Sequence, residues 1–271
     1  MIAKLERQNK NRKRSRILKT IFITGATKNT GLAIAEKFAA SGYNVAISSR
    51  EQAGLDKALA YLREKYPVDF RGYTLDLTDV SDIKRVFARI KEDFGTLDVF
   101  VPNAAHLGVD MDMLSVTEEE YANVMDINLK GNFFACQQAA QMMKENGGGS
   151  IVIISSVHSK QCIFGRSLYT ASKGGLNALM RSMAIELAPY GIRANCIIAG
   201  AIKTDRWDAF TEEQIARRRA NWPLGLESTG EDIANGVFYL GTDLSKTVTG
   251  TELTIDSGVL VSLLPYNGGK H

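Results

Sequence analysis

Apolar residues recur along the chain in two alternating rhythms. The run Ile17–Thr24 (ILKTIFIT) ends in a β-branched apolar stretch, the pattern of a buried strand. Gly25 to Gly31 interrupts it as a turn, and the following LAIAEKFAAS places apolar residues at helical spacing. The alternation then repeats. Strands are predicted over Tyr43–Ser48, Phe70–Leu75 and Leu97–Val101, with helices from Glu51 to about Lys65 and over Ser81–Phe94. A helix from about Thr117 to Glu145 is interrupted near Asn128–Gly131, and Gly147-Gly148-Gly149 ends it before a strand over Ser150–Ser155. A long helix follows Ser167, then a strand over Arg193–Ile198 and an irregular stretch to about Gly230. One more helix and a last strand over Glu252–Asp256 complete the series. This order predicts an α/β fold: one Rossmann-type doubly wound parallel sheet of about seven strands, with helices on both faces. No repeat and no Pro/Gly-rich linker divides it, so residues 17–271 read as one domain.

Composition narrows the class. A chain of 271 residues, 45% hydrophobic and 23% charged, buries a core without staples. Three cysteines (Cys136, Cys162 and Cys196) form no CxxC pair, which excludes a disulfide scaffold and points to a reducing compartment, the cytoplasm. No apolar run reaches the length of a membrane span, so no membrane association is expected. Three histidines without paired ligand spacing give no metal site. The net charge of +3 hides an asymmetry: residues 1–19 carry eight cations against Glu6 alone, net +7, and the rest carries −4. An acidic body argues against nucleic acid as a partner. Residues 1–16 read as a basic, disordered extension; a contact within an oligomer and an anionic surface are its other readings.

The chemistry begins at the turn Thr24-Gly25-Ala26-Thr27-Lys28-Asn29-Thr30-Gly31. Between a strand and a helix, glycines let the backbone approach a pyrophosphate while the helix N-terminus offers unpaired N–H groups. At the end of the second strand an acid would hold the ribose of NAD. Here Ser48-Ser49-Arg50 has none, and Arg50 with Lys28 suits a 2′-phosphate, so NADP(H) is preferred and NAD(H) is the alternative. Tyr169 and Lys173 stand four apart on one helix face, a phenol and an ammonium able to exchange a proton with a carbonyl oxygen. Tyr61–Lys65 and Tyr266–Lys270 share that spacing. Tyr61 sits eleven residues past Arg50, so helical rise carries it about 15 Å from the ligand edge, and Tyr266 follows the last strand among Pro265, Gly268 and Gly269. Only Tyr169 follows a central strand.

These residues together resemble the short-chain dehydrogenase/reductase family, from about Thr20 to Leu260. The turn is similar to its TGxxxGxG, and Asp76-Leu77 to its adenine-contacting pair. Asn103-Ala104-Ala105 resembles the NNAG segment, Asn128 falls at the helix-four asparagine, and Ser156, Tyr169 and Lys173 fall at the catalytic serine and YxxxK. Gly200, Ile202 and Thr204 match the loop after strand six. The resemblance implies that Tyr169 is general acid or base, that Lys173 lowers its pKa and holds the nicotinamide ribose, and that Ser156 binds the substrate oxygen. Asn128 would order a water behind Lys173, while Ile202 and Thr204 would hold the carboxamide. A dinucleotide would meet Gly25, Thr27, Lys28, Asn29, Thr30, Gly31, Ser49, Arg50, Asp76, Leu77, Asn103 and Ala104, together with Tyr169, Lys173 and Gly200.

Departures from the family pattern are Asn29, which tolerates positive φ, and also Pro102, Ala105, Ala199 and Ser257. Residues 204–230 resemble a substrate loop, whose Trp207, Phe210 and Trp222 cover either substrate or core. Its Arg217-Arg218-Arg219 reads as a solvated face or an anion contact, and His106 and His158 as pocket wall. The function implied is an NADP(H)-dependent oxidoreductase interconverting a small-molecule carbonyl and a secondary alcohol, as a homotetramer or homodimer. It is most similar to 3-oxoacyl-carrier-protein reductases and to sugar and steroid alcohol dehydrogenases. The alternatives are an NAD-dependent sugar/polyol or hydroxysteroid dehydrogenase and a non-catalytic dinucleotide-binding regulator.

Overall fold

Seven short strands are joined in parallel, the central ones buried on both faces and the edge strands partly open to water. They are β1 (Thr20–Thr24), β2 (Asn44–Ser49), β3 (Phe70–Thr74), β4 (Val99–Val101), β5 (Gly149–Ser156), β6 (Ile192–Ala199) and β7 (Glu252–Ile255). The computed structural model describes residues 18–263. The basic leader and the Tyr266–Lys270 pair lie outside the described residues. The strand order is 3-2-1-4-5-6-7, so the chain reverses its direction of travel between β1 and β4. Ligands bind beyond the carboxyl ends of the strands at such a point.

Helices cover both faces because both faces are apolar. On one side α1 (Asn29–Ala40), α2 (Gln52–Lys65) and α8 (Gly230–Gly241) close a core around Ile23, Ile34, Phe38 and Val237. On the other, α3 (Val80–Phe94), α5 (Asn132–Asn146) and α6 (Ser167–Glu186) close a second core around Phe22, Phe100, Ile153 and Met180. This is the doubly wound architecture that the alternation predicts. The element boundaries shift by a few residues, and β1 begins at Thr20 rather than Ile17.

Two details differ in kind. The predicted interruption at Asn128–Gly131 is not a loop but a π-helical turn, Asp126–Gly131, set between α4 (Glu118–Met125) and α5. A Cβ on Gly131 would lie 2.2 Å from the Leu77 carbonyl oxygen, so the turn presses on the end of β3. Such a widened turn redirects the side chains it carries, and Asn128 is one of them. The stretch predicted to be irregular up to Gly230 contains α7 (Glu212–Arg219), started by a capping box between Thr211 and Gln214.

Candidate active site

The carboxyl ends of β1, β2, β4, β5 and β6 surround one cavity of about 800 Å³. Its floor is the glycine turn. Gly25 has φ +64°, and a Cβ on Gly31 would meet the Gly25 carbonyl oxygen at 2.5 Å, so the backbone stays bare where a ligand approaches. Asn29 has φ 50°, the left-handed backbone expected of an asparagine replacing glycine. Helix α1 has no side-chain cap, which leaves its first N–H groups turned to the cavity. Asn103 holds the turn from β4, donating through Nδ2 to the carbonyls of Thr24 (2.9 Å) and Gly25 (3.0 Å).

At the other end lie the groups with proton chemistry. Tyr169 and Lys173 come from the first turns of α6, and Ser156 ends β5. The pair is buried, with 8% and 3% of its surface exposed. Burial drives the two titrations in opposite senses, because it penalises whichever form is charged. It pushes the Tyr169 phenol above its ordinary value, against a hydrogen bond with Ser156 and the charges of Arg166 and Arg206. It brings the Lys173 ammonium down to about 8. Lys173 Nζ donates to the Ile154 carbonyl at 2.8 Å and stands 5.6 Å from the centre of the Tyr169 ring. In this geometry desolvation is the largest influence on the phenol's proton affinity.

Asn128 lies behind the cavity wall, fully buried. Its Oδ1 accepts from the His106 backbone N–H at 2.7 Å, and its Nδ2 donates to the His106 carbonyl and the Ser172 hydroxyl. The side chain thus fastens the loop after β4 to α6. His158 stands beside Tyr169, its ring centre 6.0 Å away, and burial lowers its pKa.

Every residue that the sequence assigns to a dinucleotide lines this one cavity, as does Ser156; Asn128 alone does not. Lys28 and Arg50, expected to converge on a phosphate, both line the cavity, but Lys28 is engaged by a carboxylate. Lys28 Nζ pairs with Asp205 at 2.7 Å, and Asn29 Nδ2 donates to the same carboxylate at 3.2 Å. Arg50 has no acidic partner among the described residues. The Thr204 hydroxyl is buried at the cavity without a partner. An orphaned hydroxyl and a bare backbone cradle in one cavity fit the carboxamide and the pyrophosphate of a nicotinamide dinucleotide.

Residues 204–230 pack largely on themselves. Trp207 is buried, donates Nε1–H to the Ile202 carbonyl at 3.0 Å and touches the rings of Phe210 and Trp222. Arg219 binds Glu227 through two bonds of 2.7 Å, and Arg218 covers the Phe210 ring, so two of the three arginines are spent within the loop. Ser257 also adopts positive φ (58°) where the family pattern has glycine, and its hydroxyl donates to the Leu226 carbonyl at 2.6 Å.

Sequence reasoning singled out neither Arg206 nor Asp205, whose partners Lys28 and Asn29 lie far away in the chain. It also passed over Asn177, which accepts from the Ser155 hydroxyl (2.5 Å) and donates to Ser159 (2.9 Å), whose own hydroxyl holds the Ser156 carbonyl. The available signal was a polar residue four beyond Lys173 and eight beyond Tyr169, on the same buried helix face.

A family model described as enoyl-(acyl carrier protein) reductase matches residues 25–260. A 3alpha-hydroxysteroid dehydrogenase from Mediterraneibacter gnavus is 35% identical over 242 residues, 88% of this chain and 95% of that protein. A 3-oxoacyl-[acyl-carrier-protein] reductase from Haemophilus influenzae is 32% identical over 246 residues, covering 90% of this chain and 99% of that protein. The crystal structure of levodione reductase superimposes with a TM-score of 0.85 at 28% identity, covering 91% of this chain and all of that one.

Proposed function

The chain belongs to the short-chain dehydrogenase/reductase family of NAD(P)-dependent oxidoreductases acting on CH–OH donors, and from that premise we propose that it reduces a ketone with NADP(H), Tyr169 giving the proton. One observation carries the reading: a buried phenol lining the same cavity as Ser156, with a buried ammonium one helical turn away. A dinucleotide held there supplies a hydride to the carbonyl carbon.

The protein's own part is proton management and placement. Burial keeps the phenol protonated at neutral pH, the form a general acid needs before reduction. Ser156 directs its hydroxyl toward the same oxygen, and the proton leaves Tyr169 as charge develops there. Lys173, cationic below about pH 8, holds ribose hydroxyls and steadies the phenolate once the proton has gone. Thr204 gives its unpartnered hydroxyl to the carboxamide. Asn128 keeps the His106 segment and α6 in register beside the pair. A dinucleotide-binding regulator would have no use for this phenol and serine.

The preference for NADP(H) rests on Arg50 and on the missing acid at the end of β2, since Lys28 is engaged with Asp205. A bidentate guanidinium suits a phosphate dianion, and β2 ends without an acid to bind a ribose diol. Arg50→Ala should weaken NADPH about tenfold more than NADH in a binding titration; equal weakening would overturn the assignment. A screen of ketones, ketoacyl thioesters, ketoses and oxosteroids with either dinucleotide tests the reaction itself. We place the enzyme in a reducing compartment, the cytoplasm, on its three free cysteines. We also expect two or four copies per assembly, a reading that the half-exposed Tyr121 and Phe133 support.

A further inference from the structure

Tyr169 acting as proton donor leaves the charge around it unused. Two carboxylates line the cavity, Asp76 and Asp205. Asp76 sits at the β3 end, where its Oδ1 accepts from the Thr78 N–H and hydroxyl. Asp205 is turned onto Lys28 and Asn29. Arg206, its neighbour in the chain, is thereby left as an exposed cavity-lining guanidinium with no acidic partner among the described residues. On the opposite side Arg166 stands one helical turn before Tyr169 and braces the Leu107 carbonyl at 2.8 Å. The charged groups acting on the phenol are these two arginines, and Arg166 acts on His158 as well. Lys173 and Arg206 thus line the cavity together with Tyr169, Arg166 acts on the phenol from outside that lining, and the two lining carboxylates are engaged with Thr78 and with Lys28 and Asn29.

We propose that the substrate is an oxo acid, whose carboxylate lies against the Arg206 guanidinium while its carbonyl lies at Tyr169 and Ser156. The inference rests on the reading of Tyr169 as proton donor and names the substrate class for that site. A guanidinium matches a carboxylate with two parallel N–H···O bonds, and within a half-enclosed cavity that contact is stronger than in water. Arg166 adds to the field without touching the ligand, its guanidinium already holding the Leu107 loop. Covering Arg206 with a neutral apolar substrate such as a steroid would strip water from an unpaired charge, so the site discriminates by what it penalises.

The guanidinium could instead serve the dinucleotide's phosphates, the other anion in this cavity, and the test separates the two. The full chain with NADPH is given 2-oxobutanoate, 3-oxobutanoate and 4-oxopentanoate, each beside its methyl ester. Binding to the enzyme–NADPH complex is read from NADPH fluorescence, and turnover from NADPH oxidation. At least one acid should bind about tenfold more tightly than its ester and lead it in kcat/KM by a similar factor. In Arg206→Gln that acid-to-ester ratio should fall to near one, whereas Arg206→Lys should restore part of it. Acids binding no better than esters, or a ratio that survives Arg206→Gln, would overturn the proposal. So would Arg206→Gln weakening NADPH while the ratio stays unchanged, which assigns the guanidinium to the dinucleotide. Selective acid binding without turnover would sustain the anion site and remove the reading of Tyr169 instead.

Discussion

Two tyrosine–lysine pairs with the same four-residue spacing sit on helices of one molecule, and their surroundings give them opposite chemistry. Tyr61 and Lys65 lie on the outer face of α2. There the Tyr61 hydroxyl donates to Glu36 at 2.8 Å, and Lys65 bonds both the Tyr61 oxygen and Glu36. The hydrogen bond to Tyr61 raises the Lys65 pKa, and solvent keeps the ammonium charged. Tyr169 and Lys173 are buried, the lysine bonds a backbone carbonyl rather than its tyrosine, and its pKa comes down to about 8. The comparison separates two things that a motif conflates. Spacing sets which side chains are neighbours; desolvation and free valence set what they can do. The exposed phenol has already committed its proton to a carboxylate, while the buried one keeps its proton for whatever enters the cavity.

The widest gap between the pairs should open at the phenol. Tyr169→Phe is expected to lower kcat for ketone reduction by about 10²–10⁴-fold, with NADPH binding still detectable by fluorescence; retained turnover would erase the distinction. Next comes the lysine. Because the folded Lys173 titrates near 8 and the unfolded one near 10.5, the unfolded chain binds more protons between those values. Stability conferred at this site should therefore rise with pH across that window, by on the order of 1 kcal/mol per pH unit. Urea denaturation at pH 8 and pH 10, compared between wild type and Lys173→Met, should show the extra gain in wild type only. The smallest effects belong to the outer pair. Tyr61→Phe and Lys65→Gln should leave kcat/KM within about twofold and stability within about 0.5 kcal/mol, and a larger loss of turnover would mean that burial is not what separates them.

The sheet and its two helical layers were legible because buried parallel strands are continuous apolar runs, as in Ser150–Ser155. The cavity lining was legible because its residues follow strand ends, where topology rather than side-chain detail decides position. Helix α7 was not, since Glu212-Glu-Gln-Ile-Ala-Arg-Arg-Arg219 has no apolar periodicity; its one local signal was the Thr211–Gln214 capping box. The partner of Lys28 was equally hidden. A carboxylate 177 residues further along reaches it only after the substrate loop folds back, so charge at the turn alone suggested a phosphate. For Lys173 the spacing was legible, whereas the burial that raises the phenol pKa was not.

The contact between Lys28 and Asp205 joins the glycine turn to the start of the substrate loop, and both side chains are open to water, 72% and 49% exposed. A pair in that position adds little to stability, and dissolved ions screen it over about 8 Å at 0.15 M ionic strength. The join between the two sides of the cavity is therefore set partly by the solvent. In dilute buffer the loop is held against the turn more of the time, and added salt loosens it without altering a residue. Affinities measured for this protein at different ionic strengths describe different mixtures of held and released loop.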